Sequence, residues 1–248
     1  MLLHAHHAVK DGYEVVVLSS EDTDVFVLSL ACSSVIPAPL FQKKRTPTRT
    51  HLIDVKQTAE SLGSDVCEAL VGMHAYTGCD SVSAFAGKGK ASALKTIKTD
   101  GTVRRTFCEL GQSWEMTDEL FQNLESFTCR LYAPRETVSD VNELRYRLFC
   151  AKNGDVESHQ LPPCKDSLRK HAMRANYQTA LWRRCLMNDP ECPDPTDSGW
   201  MVDCVDGKDV LTIDWMTRDL LPQVSLSSLL VCARRSVLLT SAPACNMG

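Results

Sequence analysis

Val15-Val16-Val17-Leu18-Ser19-Ser20-Glu21-Asp22-Thr23-Asp24 is the stretch on which the fold of this 248-residue chain turns. With Tyr13-Glu14 before it, the β-branched run up to Leu18 reads as a short buried strand. Ser19-Ser20 ends the strand, and Asp22 is placed to cap a helix running through Val25, Val27, Leu28 and Leu30. The unit is strand, acidic turn, helix. Its carboxylates lie at the C-terminal edge of the strand, where sites collect in open α/β sheets. Taken alone, such a turn is more often a helix cap and a solvated helix start than a site.

Upstream, residues 1–9 read as a helix broken at Gly12. Downstream, residues 32–50 look looser: Pro37, Pro39 and Pro47 punctuate them, and Lys43-Lys44-Arg45 with Arg49 make a basic loop. A second strand is expected at 51–55 and helices at 56–62 and 65–76, the latter ended by Gly78-Cys79-Asp80. Residues 81–98 read as two short helical stretches around a turn at Gly87-Lys88-Gly89-Lys90. From residue 103 the pattern is helix after helix, at 103–110, 117–131, 138–151 and 165–187. The last is amphipathic, with Leu168, Met173, Tyr177, Leu181 and Trp182 on one side. Residues 189–199 form a Pro/Asp loop, and the remainder offers one strand, at 210–215.

Metal-dependent phosphodiester hydrolysis asks for several hard carboxylates converging on divalent cations that position a water. Asp22 and Asp24 sit two apart in a tight turn, and Asp80 follows more than fifty residues later at a helix end. The order Glu21-Asp22-Thr23-Asp24, then Thr77-Gly78-Cys79-Asp80, then Gly87-Lys88-Gly89 seven residues after Asp80, resembles the flap-endonuclease branch of the PIN-like nucleases. That resemblance covers residues 1–98. It implies an α/β fold: a PIN-like partial parallel sheet flanked by helices, followed here by a mainly helical extension. It also implies that Asp22, Asp24 and Asp80 are the catalytic carboxylates holding Mg²⁺ or Mn²⁺, with water as nucleophile. Glu21 takes the neighbouring position that is not usually a ligand. Gly87, Lys88, Gly89 and Lys90, with Lys95, would hold nucleic acid, DNA rather than RNA, through backbone amides and charge. In this sequence Lys88 and Lys90 replace the small hydrophobe between the family's glycines and the residue after them.

The family carries further carboxylates upstream, and Met1-Leu2-Leu3-His4-Ala5-His6-His7 resembles a helix after its acidic end has been cut away. Fewer carboxylates mean weaker Mg²⁺ binding. Two readings stay open: a metal-dependent nuclease, and a catalytically dead nucleic-acid-binding or scaffold protein that keeps the fold. Val141-Asn142-Glu143-Leu144-Arg145-Tyr146 and residues 161–184 are similar to segments of a group of animal proteins sharing this nuclease-like region. The domains expected are 1–100, carrying a helix-hairpin-helix-like turn, a helical extension over 101–190, and a tail over 191–248.

A net charge of -4 gives no global attraction to nucleic acid, so a local basic face would have to supply it. Lys165, Arg169, Lys170, Arg174, Arg183 and Arg184 lie along one helix and either track a phosphate backbone or form a solvated face. Arg174 and Trp182 are alternatively packing residues. His4 and His7 share a helix face, but two imidazoles without partners fall short of a metal site. Twelve cysteines without C-x-x-C spacing, and no secretory signal, favour a reduced intracellular compartment, nucleus or cytoplasm. Cys232 and Cys245 are too few and too far apart for a zinc module. No membrane span is expected, because Arg234-Arg235 interrupts the apolar stretch 224–239.

Overall fold

The structure, a computed structural model, describes residues 1–45 and 49–214. The order strand, acidic turn, helix forms as read, but the strand is not the buried one expected: it covers only Val16–Ser19, Leu18 alone of the run is buried, and Tyr13, Val15 and Val17 are exposed. Helix α1 (Leu2–Lys10) gives way at Gly12, whose φ of 94° suits a residue without a Cβ. Strand β1 (Val16–Ser19) follows, then α2 (Thr23–Cys32). The segment expected to be loose contains a strand, β2 (Leu40–Arg45), which starts just after Pro39, so neither Pro37 nor Pro39 interrupts its ladder. β2 runs parallel to β1, with Val16 opposite Leu40 and Ser19 opposite Lys43. β3 (Thr50–Asp54) runs antiparallel to β2, with Phe41 opposite Asp54.

The sheet is therefore mixed, and parallel only between β1 and β2. Chain length explains why one pairing is parallel and the other antiparallel. The β1–β2 connection contains α2, long enough for a crossover, whereas residues 46–49 between β2 and β3 permit only a reversal. Pro47 lies outside the described residues.

Asp54 caps α3 (Val55–Leu62), accepting from the Gln57 amide at 2.9 Å. Gly63, at φ 87°, breaks the chain before α4 (Ser64–Tyr76), the helix around which the rest is built. Every residue of α4 from Ala69 to Tyr76 is buried. Gly72 explains how closely α6 (Gly101–Glu109) approaches: a Cβ there would lie 2.5 Å from the Phe107 carbonyl oxygen. At the end of α4 the fully buried Tyr76 ring meets Phe85, Phe107, Phe127 and His171. Its hydroxyl, 2.7 Å from Thr128 Oγ1, is satisfied on α7 (Asp118–Tyr132). A buried hydroxyl without such a partner would be costly.

The remaining helices are α5 (Lys90–Thr99), α8 (Val141–Ala151) and α9 (Lys165–Arg183). α9 is buried by more than an apolar stripe: His171, Arg174, Asn176 and Thr179 are all inside. Asn176 accepts from the Gly111 amide at 2.8 Å and donates to the Ser113 and Trp114 carbonyls, each at 2.9 Å. A boundary near residue 100 does not separate two bodies, because Met1 to Trp215 is one compact unit with α6, α7 and α9 in the same core as α4.

After α9 comes a hairpin of β4 (Trp200–Val205) and β5 (Lys208–Ile213). Only β5 was expected. β4 is almost wholly exposed, so no buried alternation marks it. The tail beyond residue 214, with Cys232, Cys245 and the 224–239 stretch, lies outside the described residues. Among the described residues no helix is long and apolar enough to cross a membrane.

Candidate functional site

Sequence locality sets the acidic turn and tertiary contacts decide what it does. Gln42 on β2, buried, donates from Nε2 to the Ser20 and Asp22 carbonyls at 3.0 and 3.3 Å, tying the turn to the sheet. Asp22 caps α2, its carboxylate accepting from the Asp24 amide at 2.9 Å. Asp24, in the first turn of α2, reaches α4, where its Oδ1 lies 2.6 Å from His74 Nε2.

The other ring nitrogen of His74, Nδ1, is 2.9 Å from Lys90 Nζ. The same ammonium donates to the His74 carbonyl at 2.9 Å and to the Gly78 carbonyl. An ammonium only donates, so Nδ1 is the acceptor, Nε2 carries the ring proton, and that proton is donated to Asp24. Burial pushes the His74 pKa below the usual imidazole value; the Asp24 hydrogen bond opposes the shift and the Lys90 charge adds to it. Burial likewise pulls Lys90 below the ordinary ammonium value, against the attraction of Cys79 and Asp24. All three Lys90 protons are engaged, two of them on carbonyls at the C-terminal end of α4, where a cation suits the helix dipole. Trp182 of α9 stacks on the His74 ring, centroids 5.8 Å apart. A continuous set of contacts thus runs from α2 through α4 and α5 to α9.

Asp80 is exposed in a turn closed by the Cys79–Val82 bridge, and it has no hydrogen bond or ion pair among the described residues. Of the three carboxylates, one caps a helix, one binds a histidine and one meets solvent. Among the described residues no three His, Cys, Asp or Glu side chains gather in a way that can hold a metal ion. The donor set does not fit the Mg²⁺ or Mn²⁺ centre that the resemblance implies: Asp24 is committed to His74, and the nearest positive charge is the protein's own ammonium.

The glycine turn departs from expectation on one side. α5 follows it, but residues 81–89 contain no helix. Gly78, at φ 114°, lets the chain fold back so closely that a Cβ would lie 2.7 Å from Ala84 Cβ. Phe85 is buried against Tyr76 and His171, which holds this segment as a loop. In the turn, Gly87 (φ 68°) and Gly89 both face open space, with nothing within 4 Å of an added Cβ. Gly89 has an ordinary φ of -80°, so nothing in the fold requires glycine there. Lys88 lies over the Tyr132 ring at 4.7 Å and Lys95 is exposed, whereas Lys90, expected to face a ligand, turns inward.

The basic residues of α9 find partners within the protein, although Lys165 and Arg169 stay partly exposed. Lys165 pairs with Glu125 and Asp140, Arg169 with Asp118, and Lys170 with Asp214. Arg174 donates to the Gly199 carbonyl, and Arg183 to the Phe107, Cys108 and Leu110 carbonyls at the end of α6. Arg184 lies over the Trp114 ring at 4.3 Å. His4 and His7 are exposed and His6 is half-buried on α1. The residues that sequence reading missed are His74, on a helix expected to matter only at its end, and Gln42, in a segment expected to be a loop, whereas Trp182 was read only as a packing residue. The polar interruptions His74 and Gln42 in otherwise buried runs were the available signal. No protein family, curated protein or solved structure matches the chain.

Proposed function

We propose that this chain binds nucleic acid on a nuclease-like frame in which an internal cation, Lys90, stands in the acidic neighbourhood where the related enzymes hold metal. The observation that carries this reading is the Asp24–His74–Lys90 chain of hydrogen bonds, which consumes the carboxylate and supplies positive charge from within. The open glycine turn supports binding. Two glycines with free space around them, amides at the start of α5 that no side chain caps, and Lys88 with exposed Lys95 suit the close approach of a phosphate backbone.

The test pairs a binding assay with a cleavage assay on duplex and flap DNA. Fluorescence anisotropy at low salt is expected to detect binding that the double substitution Lys88→Glu/Lys95→Glu weakens roughly tenfold. With Mn²⁺, wild type is expected to cleave no faster than Asp24→Ala or Asp80→Ala. Cleavage that both substitutions abolish would overturn this reading in favour of a metal-dependent nuclease. Binding that ignores the charge reversal would remove the glycine turn from it.

A further inference from the structure

Two helix ends meet at the end of α2 opposite Asp24. α2 finishes at Cys32, and Cys185 follows α9 by two residues, its amide bonded to the Trp182 carbonyl at 3.1 Å. The two sulfurs are 3.7 Å apart and hydrogen-bonded, although 153 residues separate them in sequence. A disulfide needs about 2.05 Å, so closure asks for less than about 2 Å of movement. Helix termini yield such movement more readily than helix interiors. Cys32 also lines an open cavity of about 720 Å³, together with Ser33, Trp182, Arg183 and Leu186, so a small solute reaches it.

We propose that Cys32 and Cys185 are an oxidisable dithiol, converted by hydrogen peroxide into an intramolecular disulfide. The hydrogen bond shared by the two sulfurs holds the Cys185 thiol below its ordinary pKa, while the same contact and burial raise Cys32. Cys32 lines the cavity through which peroxide arrives, and Cys185, its sulfur 3.7 Å away, lies within reach of the same peroxide as the attacking thiolate. Its sulfur takes one peroxide oxygen as the O–O bond breaks, and the departing hydroxide regains a proton to become water. Cys32 sulfur then attacks the Cys185 sulfenic acid. The S–O bond breaks, the leaving hydroxide takes the Cys32 proton as a second water, and two electrons have passed from the thiols to the peroxide. The product joins the end of α2 to the end of α9, the helices that bring Asp24 and Trp182 to His74. Oxidation thus fixes the Trp182–His74 stack in place.

Full-length protein, reduced and freed of reductant, is treated with hydrogen peroxide, alkylated, digested and mapped by mass spectrometry. A Cys32–Cys185-linked peptide is expected to accumulate before the buried Cys129 reacts, and to vanish with dithiothreitol. In Cys32→Ser, Cys185 is expected to be trapped as a sulfenic acid by dimedone. Recovery of both cysteines from wild type as alkylated thiols, or as separate sulfinic acids, would overturn the proposal whether or not the variant folds.

Discussion

At the residue scale, Lys90 and His171 show how burial changes what a charged or titratable group does. Lys90 serves three acceptors, so Lys90→Met leaves His74 Nδ1 and the His74 and Gly78 carbonyls without their donor. The expected cost is about 1–3 kcal/mol in urea unfolding, the usual penalty for orphaned buried polar groups. His171 donates from Nε2 to the Tyr76 carbonyl at 2.8 Å and lies deep in the aromatic cluster. Burial lowers its pKa from 6.5 to about 4; the Tyr76 carbonyl opposes the shift and Arg174 reinforces it. The folded imidazole stays neutral while the unfolded one takes up a proton below pH 6.5. Its contribution is therefore complete above pH 6.5 and is lost as pH falls toward 4, amounting to about 3 kcal/mol. Urea midpoints between pH 7 and pH 4 should fall more steeply for wild type than for His171→Gln. Equal slopes would mean that His171 is not the group that titrates.

At the element scale, two glycines separate packing from ligand approach. Gly72 lies where α4 meets α6, and a Cβ there would strike backbone. Gly72→Ala should cost about 1–3 kcal/mol by overpacking. Gly89 meets nothing, so Gly89→Ala should leave stability within about 0.5 kcal/mol while lowering DNA affinity in the anisotropy assay. Unchanged affinity would separate the turn from binding. Elements carrying their own local signals were legible in the sequence: the capped start of α2 at Asp22, the two helices expected at 56–62 and 65–76, and the helical periodicities that became α6, α7 and α8. β2 was not legible, because prolines precede it and Lys43-Lys44-Arg45 fills its exposed end. α9 was legible as a helix, but its basic residues looked like a surface until their acceptors were in view. Those acceptors sit on α6 and the loops after it, on α7, and beyond α9 itself. The same limit governed the acidic site. Asp22 and Asp24 are local, whereas their relation to His74, Lys90 and Asp80 is set by packing that no spacing rule contains.

At the scale of the whole molecule, closure of the Cys32–Cys185 pair constrains most of the unit from Met1 to Trp215. A cross-link over 153 residues removes denatured-state entropy worth about 5 kcal/mol in the chain-entropy argument. Native-state strain reduces that gain, because the sulfurs must still close from 3.7 Å. About 2 kcal/mol or more is expected to remain, which raises the Tm of a unit this size by roughly 4–8 °C. Calorimetry of reduced and peroxide-treated protein measures the shift, with Cys32→Ser and Cys185→Ser each expected to show none. A lower Tm after oxidation of wild type would mean that strain outweighs entropy, making the disulfide a destabilising mark. An equal rise in the variants would assign the stabilisation to another of the twelve cysteines.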